Sequence, residues 1–249
     1  MNFHALFLQL NEIYNKKGFL ALLTFLIIGF NNAFINKYIR GSFSQKGEDL
    51  ILDKIFANKN RGFYVDVGAN NPDVFNNTKK FYLKGWKGIN IEPNPMLLKR
   101  FKIERKRDIN LNFGIGIKRG FASFYEFEVS SISTFSKNDK ENKIKLGYRL
   151  KNESKIKVYR LEEIMRKFCK KKIDFMNVDT EGMDLEVLKS NDWKMFRPKA
   201  VCVETGDVWS TLSSELENNK KKLIDRFMIS NSYRIFYSND LNTIYVEND

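Results

Sequence analysis

Apolar residues in this chain gather into short runs, and the segments between the runs have helical spacing. "GFYVDV" (62–67), "GINI" (88–91), "IDFMNV" (173–178) and "KAVCVE" (199–204) each read as a strand buried on both faces. A helix is expected in "LILDKIFANK", where Ile51, Ile55 and Phe56 share a face, and further helices over 75–84 and 95–105. Pro95 suits a first helical turn. A third strand is expected in "DINLNFGIG" (108–116) and another over 120–128. From 129 to 156 the pattern fades into polar, lysine-rich sequence, read as a mobile lid or an insertion. Helical spacing returns in "VYRLEEIMRKFC", then in "MDLEVLKS" and the long "ELENNKKKLIDRFMIS". The end, "SYRIFYSNDLNTIYVEND", reads as two strands around an "SND" turn, an antiparallel pair. Strands alternating with helices predict an α/β fold with a doubly wound, mostly parallel sheet, and the closing hairpin is an addition that plain dinucleotide folds lack.

Before this domain lies "GFLALLTFLIIGF" (18–30), apolar except for Thr24 and flanked by Lys16, Lys17, Lys37 and Arg40. As a helix it spans about 20 Å, short of the roughly 30 Å hydrocarbon core of a bilayer. Extending it to Ile35 buries Asn31 and Asn32. Three readings stand: a helix lying on a membrane or packed on the domain, a short signal anchor, and a cleaved signal peptide, for which no small-residue cleavage site follows. The expected division is residues 1–40 as an apolar segment and 41–249 as the enzyme domain. The expected place is the cytoplasm, with attachment to the inner face of the membrane through 18–35.

Composition narrows the chemistry. The 249 residues, 43% hydrophobic with 22 Phe, suffice for one large core. A net charge of +13 is compatible with an anionic membrane surface or a phosphorylated ligand, but the lysines are scattered along helices and their flanks as solvated faces are. Nucleic acid is disfavoured, because no arginine stripe or row of stacking aromatics is present. Cys169 and Cys202 have no CxxC partner, and Cys202 sits in an apolar strand as a core residue. The only histidine is His4, so Cys/His zinc sites and histidine-based triads are excluded for the domain.

Asp66, Glu92 and Asp179 each end an apolar strand. In doubly wound sheets ligands lie outside the carboxyl ends of the strands. The turn "DVGAN" carries one glycine and no GxGxxG, so it offers a single close backbone approach and no pyrophosphate cradle. Glu92 stands where a carboxylate accepts both hydroxyls of a ribose. A ribose with a cationic amino-acid part and no phosphates describes S-adenosylmethionine better than NAD. The competing reading makes the three acids helix caps.

"SFSQKGEDLIL", "FYVDVGANNP", "GWKGINIEPNP", "GIGIKRGFASFYEF", "SSISTFS" and "IDFMNVDTEGMDLEVLKS" together resemble the FkbM family of S-adenosylmethionine-dependent methyltransferases, over roughly residues 42 to 205. The resemblance implies a class I methyltransferase sheet of seven strands and O-methyl transfer, commonly to hydroxyls of sugars or natural products. The chain departs from the common pattern in "GANNP", where many members have Gly or His after the Asn. On this reading Asp66 orders the first turn and meets the cofactor's amino group. Gly68 lets the backbone pass close to the methionine portion, with Ala69 and Asn70 completing that wall. Glu92 holds the ribose, Gly114 makes room for adenine, and Gln45 and Glu48 reach the same pocket; Glu48 is otherwise a first-turn helix acid.

Methyl transfer needs a base for the acceptor hydroxyl, and with no histidine nearby a carboxylate is expected. Asp179 and Glu181 are the candidates, Glu181 slightly ahead, with Asp179 also lining the cofactor site. Glu204 and Asp207 end the neighbouring strand; with Asp179 they are the ligand set of a Mg²⁺ site if one exists, a use less favoured than the base. Asp184 reads as an ordinary first-turn helix acid. Ser130, Ser131, Ser133 and Thr134 either line the acceptor pocket or belong to a solvated loop. The expected acceptor is a small molecule or glycan, foremost a sugar hydroxyl in a surface polysaccharide or its lipid-linked precursor. The rivals are a methyltransferase of other acceptors, nucleic acid included, a nicotinamide oxidoreductase, and an inactive membrane-associated protein of the same fold. The chain has neither an NPPY-type motif nor a Cys beside Pro, which speaks against a nucleic-acid methyltransferase.

Overall fold

The computed structural model describes residues 41–206 and 214–248. The apolar segment at 18–35 and Asp207 lie outside them. No helix among the described residues is long and apolar enough to cross a membrane.

The chain enters through helix α1 (Glu48–Ile55) and strand β1 (Phe63–Val67). Then follow α2 (Lys79–Leu83), β2 (Lys87–Ile91), α3 (Pro95–Glu104), β3 (Ile109–Leu111) and β4 (Gly114–Ile115). Strand β5 (Gly120–Phe127) leads through a 3₁₀ turn (Ser130–Ile132) and α4 (Lys137–Lys145) to β6 (Leu150–Tyr159). The remainder is α5 (Leu161–Phe168), β7 (Phe175–Val178), α6 (Asp184–Lys189), β8 (Ala200–Glu204), α7 (Ser214–Ser230), β9 (Tyr233–Ser238) and β10 (Asn242–Glu247). Seven strands form one sheet in the order β3-β2-β1-β7-β8-β10-β9. Its first five run parallel, and β10 lies antiparallel to both β8 and β9. This is the class I methyltransferase sheet. A second sheet, β4-β6-β5, stands beside it.

Burial on both faces explains the unbroken apolar runs. Every residue of β1 and β7 is buried. Val65, Val67, Ile89, Ile91, Met176 and Val201 face a core shared with Leu161, Ile164 and Met165 of α5, Val187 and Leu188 of α6, and Ile224 and Met228 of α7. The opposite face carries Tyr64, Phe175, Ala200, Cys202 and Ile244 against Leu52 of α1, Phe56 just after it, and Phe81 and Tyr82 of α2. There Phe81 meets Trp86 at 4.8 Å and Phe175 at 5.5 Å between ring centroids.

Three expectations along the chain need correction. Helix α2 occupies only 79–83 of the expected 75–84, because Asn70 and Phe75 take left-handed backbone (φ 48° and 53°) and the loop runs on to Thr78. The expected third strand is two short ones, β3 in the main sheet and β4 in the second. Residues 150–159, read as polar loop and then helix, form the long strand β6. That strand is mostly solvated, so pairing with β5 along its length replaces burial as its support and no alternation marks it. The segment 129–149 is an ordered insertion; α4 is polar around most of its surface and starts at Ser136, whose side chain accepts from Asp139 N.

Phe81→Ala, which empties a fully buried site between Trp86 and Phe175, is expected to lower stability by about 3–5 kcal/mol. Urea denaturation with an unchanged m-value measures it, and a loss under about 1 kcal/mol would contradict this packing.

Candidate functional site

One row of polar side chains crosses the main sheet just before the strands end. Register aligns Asn110, Asn90, Asp66, Asn177 and Cys202 on neighbouring strands, on the face that α1 and α2 cover. Asp66 sits at its centre, 1% exposed. Its Oδ1 accepts from Asn177 Nδ2 (2.9 Å), and its Oδ2 from Thr78 Oγ1 (2.8 Å) and Asn76 Nδ2 (3.4 Å). Burial raises the Asp66 carboxyl above its ordinary range, opposed by those three donors and by the Arg105 charge. Arg105, itself fully buried, donates to Pro72 O twice and to Asn76 Oδ1 (2.7 Å). The acid therefore sets the loop 68–78 through protein donors.

Gly68 follows, with φ 79°. A side chain here would place its first carbon 1.8 Å from the Asp179 carbonyl oxygen, so only glycine lets the ends of β1 and β7 come this close. At the end of β2, Glu92 accepts from Asn70 N and Asn94 N, both at 2.7 Å. Burial lifts its carboxyl to about 7 against those two donors, with the Asp66 and Glu126 charges adding to the rise. Helix α3 is capped by Asn94, whose Oδ1 accepts from Met96 N and Leu97 N, so Glu92 is left to hold the loop and face the cavity.

A third acid group collects at the ends of β7 and β8. Carboxylate oxygens of Asp179, Glu181 and Glu204 lie within 4.8 Å of one another. Lys143 of α4 meets Glu181 at 2.8 Å, and Lys220 of α7 meets Asp184 at 2.8 Å and Glu204 at 3.1 Å. Burial and the Glu181 and Asp184 charges hold Asp179 well above the usual carboxylate range. Burial does the same to Glu204, against the pull of Lys220. Asp184, read as an ordinary first-turn acid, also accepts from Thr180 N and Oγ1 and so closes the acid loop.

These groups surround a cavity that opens along the carboxyl ends of the strands. Gln45, Asp66, Gly68, Ala69, Asn70, Glu92, Gly114, Asp179 and Glu181 all line it, and so do Glu204, Ser130, Ser131 and Ser133. Two candidates stand elsewhere. Glu48 is fully buried, with Oε1 accepting from Asn239 Nδ2 and Asn242 Nδ2 (both 2.9 Å), and it ties α1 to the last hairpin outside the cavity lining. Thr134 is not in the lining either; its Oγ1 donates to Glu181 O (2.7 Å) and steadies the acid loop. The space at Gly114 is already taken: a side chain there would meet the Phe135 ring at 2.6 Å. Sequence reasoning missed Asn76, Asn177, Arg105, Lys143, Lys220 and Phe135. Only Asn177, a polar residue inside an apolar run, carried a visible signal.

The profile described as the Methyltransferase FkbM domain matches residues 66–235. No curated protein sequence matches the chain. Among solved structures, the METTL16 methyltransferase domain aligns at TM-score 0.44 and 10% identity, covering 87% of this chain and 77% of that one. A precorrin-6y C5,15-methyltransferase from Geobacter metallireducens aligns at 0.41 and 10%, covering 81% and 87%. A TehB-like S-adenosylmethionine-dependent methyltransferase from Corynebacterium glutamicum aligns at 0.40 and 7%, covering 86% and 93%. These likenesses all fall under a TM-score of 0.5, and the assignment rests on the profile match, which takes in more than half of the chain, and on the order of the sheet. The chain belongs to the FkbM family of S-adenosylmethionine-dependent methyltransferases.

Proposed function

We propose that the chain transfers a methyl group to a hydroxyl of an uncharged sugar, in a surface polysaccharide or its lipid-linked precursor. The observation that carries this reading is the charge of the cavity. Among the described residues its lining includes the carboxyl groups of Asp66, Glu92, Asp179, Glu181 and Glu204, and no Lys, Arg or His. Such a wall welcomes a cationic cofactor and disfavours a phosphate or carboxylate at the reacting end of the acceptor.

The residues fit S-adenosylmethionine. Glu92 would hold the ribose hydroxyls, and Gly68, Ala69 and Asn70 would lie along the methionine part, whose ammonium the Asp66 end of the cavity suits. When bound, the cofactor supplies an electrophilic methyl carbon on a sulfonium. The chain must hold the acceptor oxygen in line with that carbon and take its proton. Of the two candidate bases we favour Asp179. Among the described residues the ion pairs of the acid group go to Glu181, Asp184 and Glu204, so Glu181 is already engaged by an ammonium. Burial and the neighbouring Glu181 and Asp184 charges push Asp179 up, which raises its affinity for a proton. A Mg²⁺ site is the second use open to Asp179, Glu181 and Glu204, and Lys143 and Lys220 already supply positive charge to two of the three. Attachment to a membrane through residues 18–35 belongs to this reading as well; unchanged membrane partitioning after removal of residues 1–40 would remove it.

Two outcomes test the site. Isothermal titration with S-adenosylhomocysteine should show wild-type binding that weakens as pH falls below about 7. The sign follows from Glu92: its carboxylate accepts ribose hydroxyls, and protonation below that value removes the acceptor. Each further pH unit costs about tenfold in affinity, and Glu92→Gln should bind weakly with a flat profile. A steep profile retained in Glu92→Gln would place the titrating group elsewhere.

Asp179→Asn should lower transfer of labelled methyl to neutral methyl glycosides by about 10²–10⁴-fold. The wild-type rate should rise with pH through a value above the ordinary carboxylate range. Transfer confined to uronic acids or sugar phosphates would overturn the proposed acceptor.

A further inference from the structure

The cavity has two ends, set by the strand order. From β1 and Gly68, β7 lies on one side with the acid group, and β2 with Glu92 lies on the other, followed by β3. A ribose at Glu92 leaves its base only one direction to take, away from the acids and over the link between β3 and β4. That end is lined by Pro93, Phe113, Gly114 and Ile115, together with two rings from outside the main sheet, Phe124 and Phe135.

Phe135 is built into this place. The missing side chain of Gly114 is where its ring rests, and the ring packs on Phe124 at 4.8 Å between centroids. Its backbone is pinned on both sides. Thr134 makes an antiparallel bridge to Tyr125, with N–H···O bonds of 2.9 and 3.1 Å, and Ser136 caps α4. Half-buried between these anchors, the ring lines the cavity without having to be ordered by a ligand.

We propose that Phe135, carried by the insertion between β5 and β6, forms one face of the purine subsite of the cofactor. This rests on the reading that the cavity takes S-adenosylmethionine. Gly114 then serves adenine indirectly, as the seat of the ring that the base meets. Thr134, one residue away, bonds the Glu181 carbonyl, so a single short segment reaches both the purine end and the acid end of the cavity.

The test uses the whole chain and two probes that share the adenosine part, 5′-methylthioadenosine and S-adenosylhomocysteine, titrated by calorimetry against wild type, Phe135→Ala, Phe135→Leu and Phe135→Tyr. Stacking on a base predicts that Phe135→Ala weakens both probes by the same factor, about tenfold, while Phe135→Tyr stays within about threefold of wild type. Phe135→Leu keeps the apolar volume on Gly114 and Phe124 but offers no ring face. It should melt like the wild type without ligand and still lose several-fold in affinity for both probes. Wild-type affinity in both Phe135→Ala and Phe135→Leu overturns the proposal. So does a loss confined to S-adenosylhomocysteine, which would move the ring to the methionine end. If the folded wild type binds neither probe, the cofactor reading itself fails, and this proposal with it.

Discussion

A carboxylate buried in the middle of a parallel sheet must be satisfied by hydrogen bonds, and in this protein the shape of the site follows from satisfying Asp66. Moving a carboxylate out of water costs several kcal/mol, and hydrogen bonds to a charged group return about 1.5–3 kcal/mol each. The donors come from separate parts of the site: Asn177 from β7, Thr78 from the start of α2, and Asn76 from the loop between. Asn76 is held in turn by Arg105, from the far end of α3. Removing the acid would release the crossing between β1 and β7 and also the loop over the cavity. That explains why α2 is short: residues up to 78 are committed to the carboxylate before a helix can begin.

The same crossing forces unusual backbone. Gly68 approaches the Asp179 carbonyl more closely than any side chain permits. Beyond Asp179 the chain turns through Glu181 in left-handed conformation (φ 53°) and Gly182 (φ 101°). A non-glycine residue held there costs about 1–2 kcal/mol, and such strain persists only where neighbours over-determine it. Here they do: Thr134 holds the Glu181 carbonyl, Lys143 holds its carboxylate, and Asp139 fills the space that a side chain on Gly182 would need. All three come from the insertion between β5 and β6. The insertion is therefore part of the site's framework as well as a wall of the cavity.

What was legible in the sequence divides along that line. The parallel strands could be read because burial on both faces writes itself as unbroken runs, and the acids ending those runs marked the carboxyl edge where the cavity lies. Residues 137–159 could not be read, because α4 and β6 gain their order from a cap, a strand partner and contacts with the acid loop, none of which leaves an apolar period. Glu48 looked like a pocket acid by its place in "SQKGED"; its partners Asn239 and Asn242 are almost two hundred residues away. Lys143, Lys220 and Phe135 were invisible for the same reason, since each matters through a contact made at long range. Gly114 was expected to make room for adenine, and the structure places the ring of Phe135 against it.

The charge of the whole chain and the charge of its cavity point in opposite directions, and the local one governs the chemistry. A net +13 spread over solvated helix faces is screened within about 10 Å at moderate salt. At the acid end of the cavity and behind its wall, Asp179, Glu181, Asp184 and Glu204 meet two lysines, Lys143 and Lys220, so acidic groups outnumber basic ones there among the described residues. Burial is the chief cause that lifts Asp179 and Glu204, the neighbouring carboxylate charges add to it, and Lys220 opposes it without entering the lining. On the proposed reading a sulfonium cofactor would be drawn to such a field, and a proton leaving an acceptor hydroxyl would find a carboxylate with raised affinity for it. A phosphate or carboxylate brought to the same point would oppose the field and forfeit its hydration together. On the proposed reading, a basic surface is compatible with an anionic polymer or membrane as long as the part entering the cavity is uncharged.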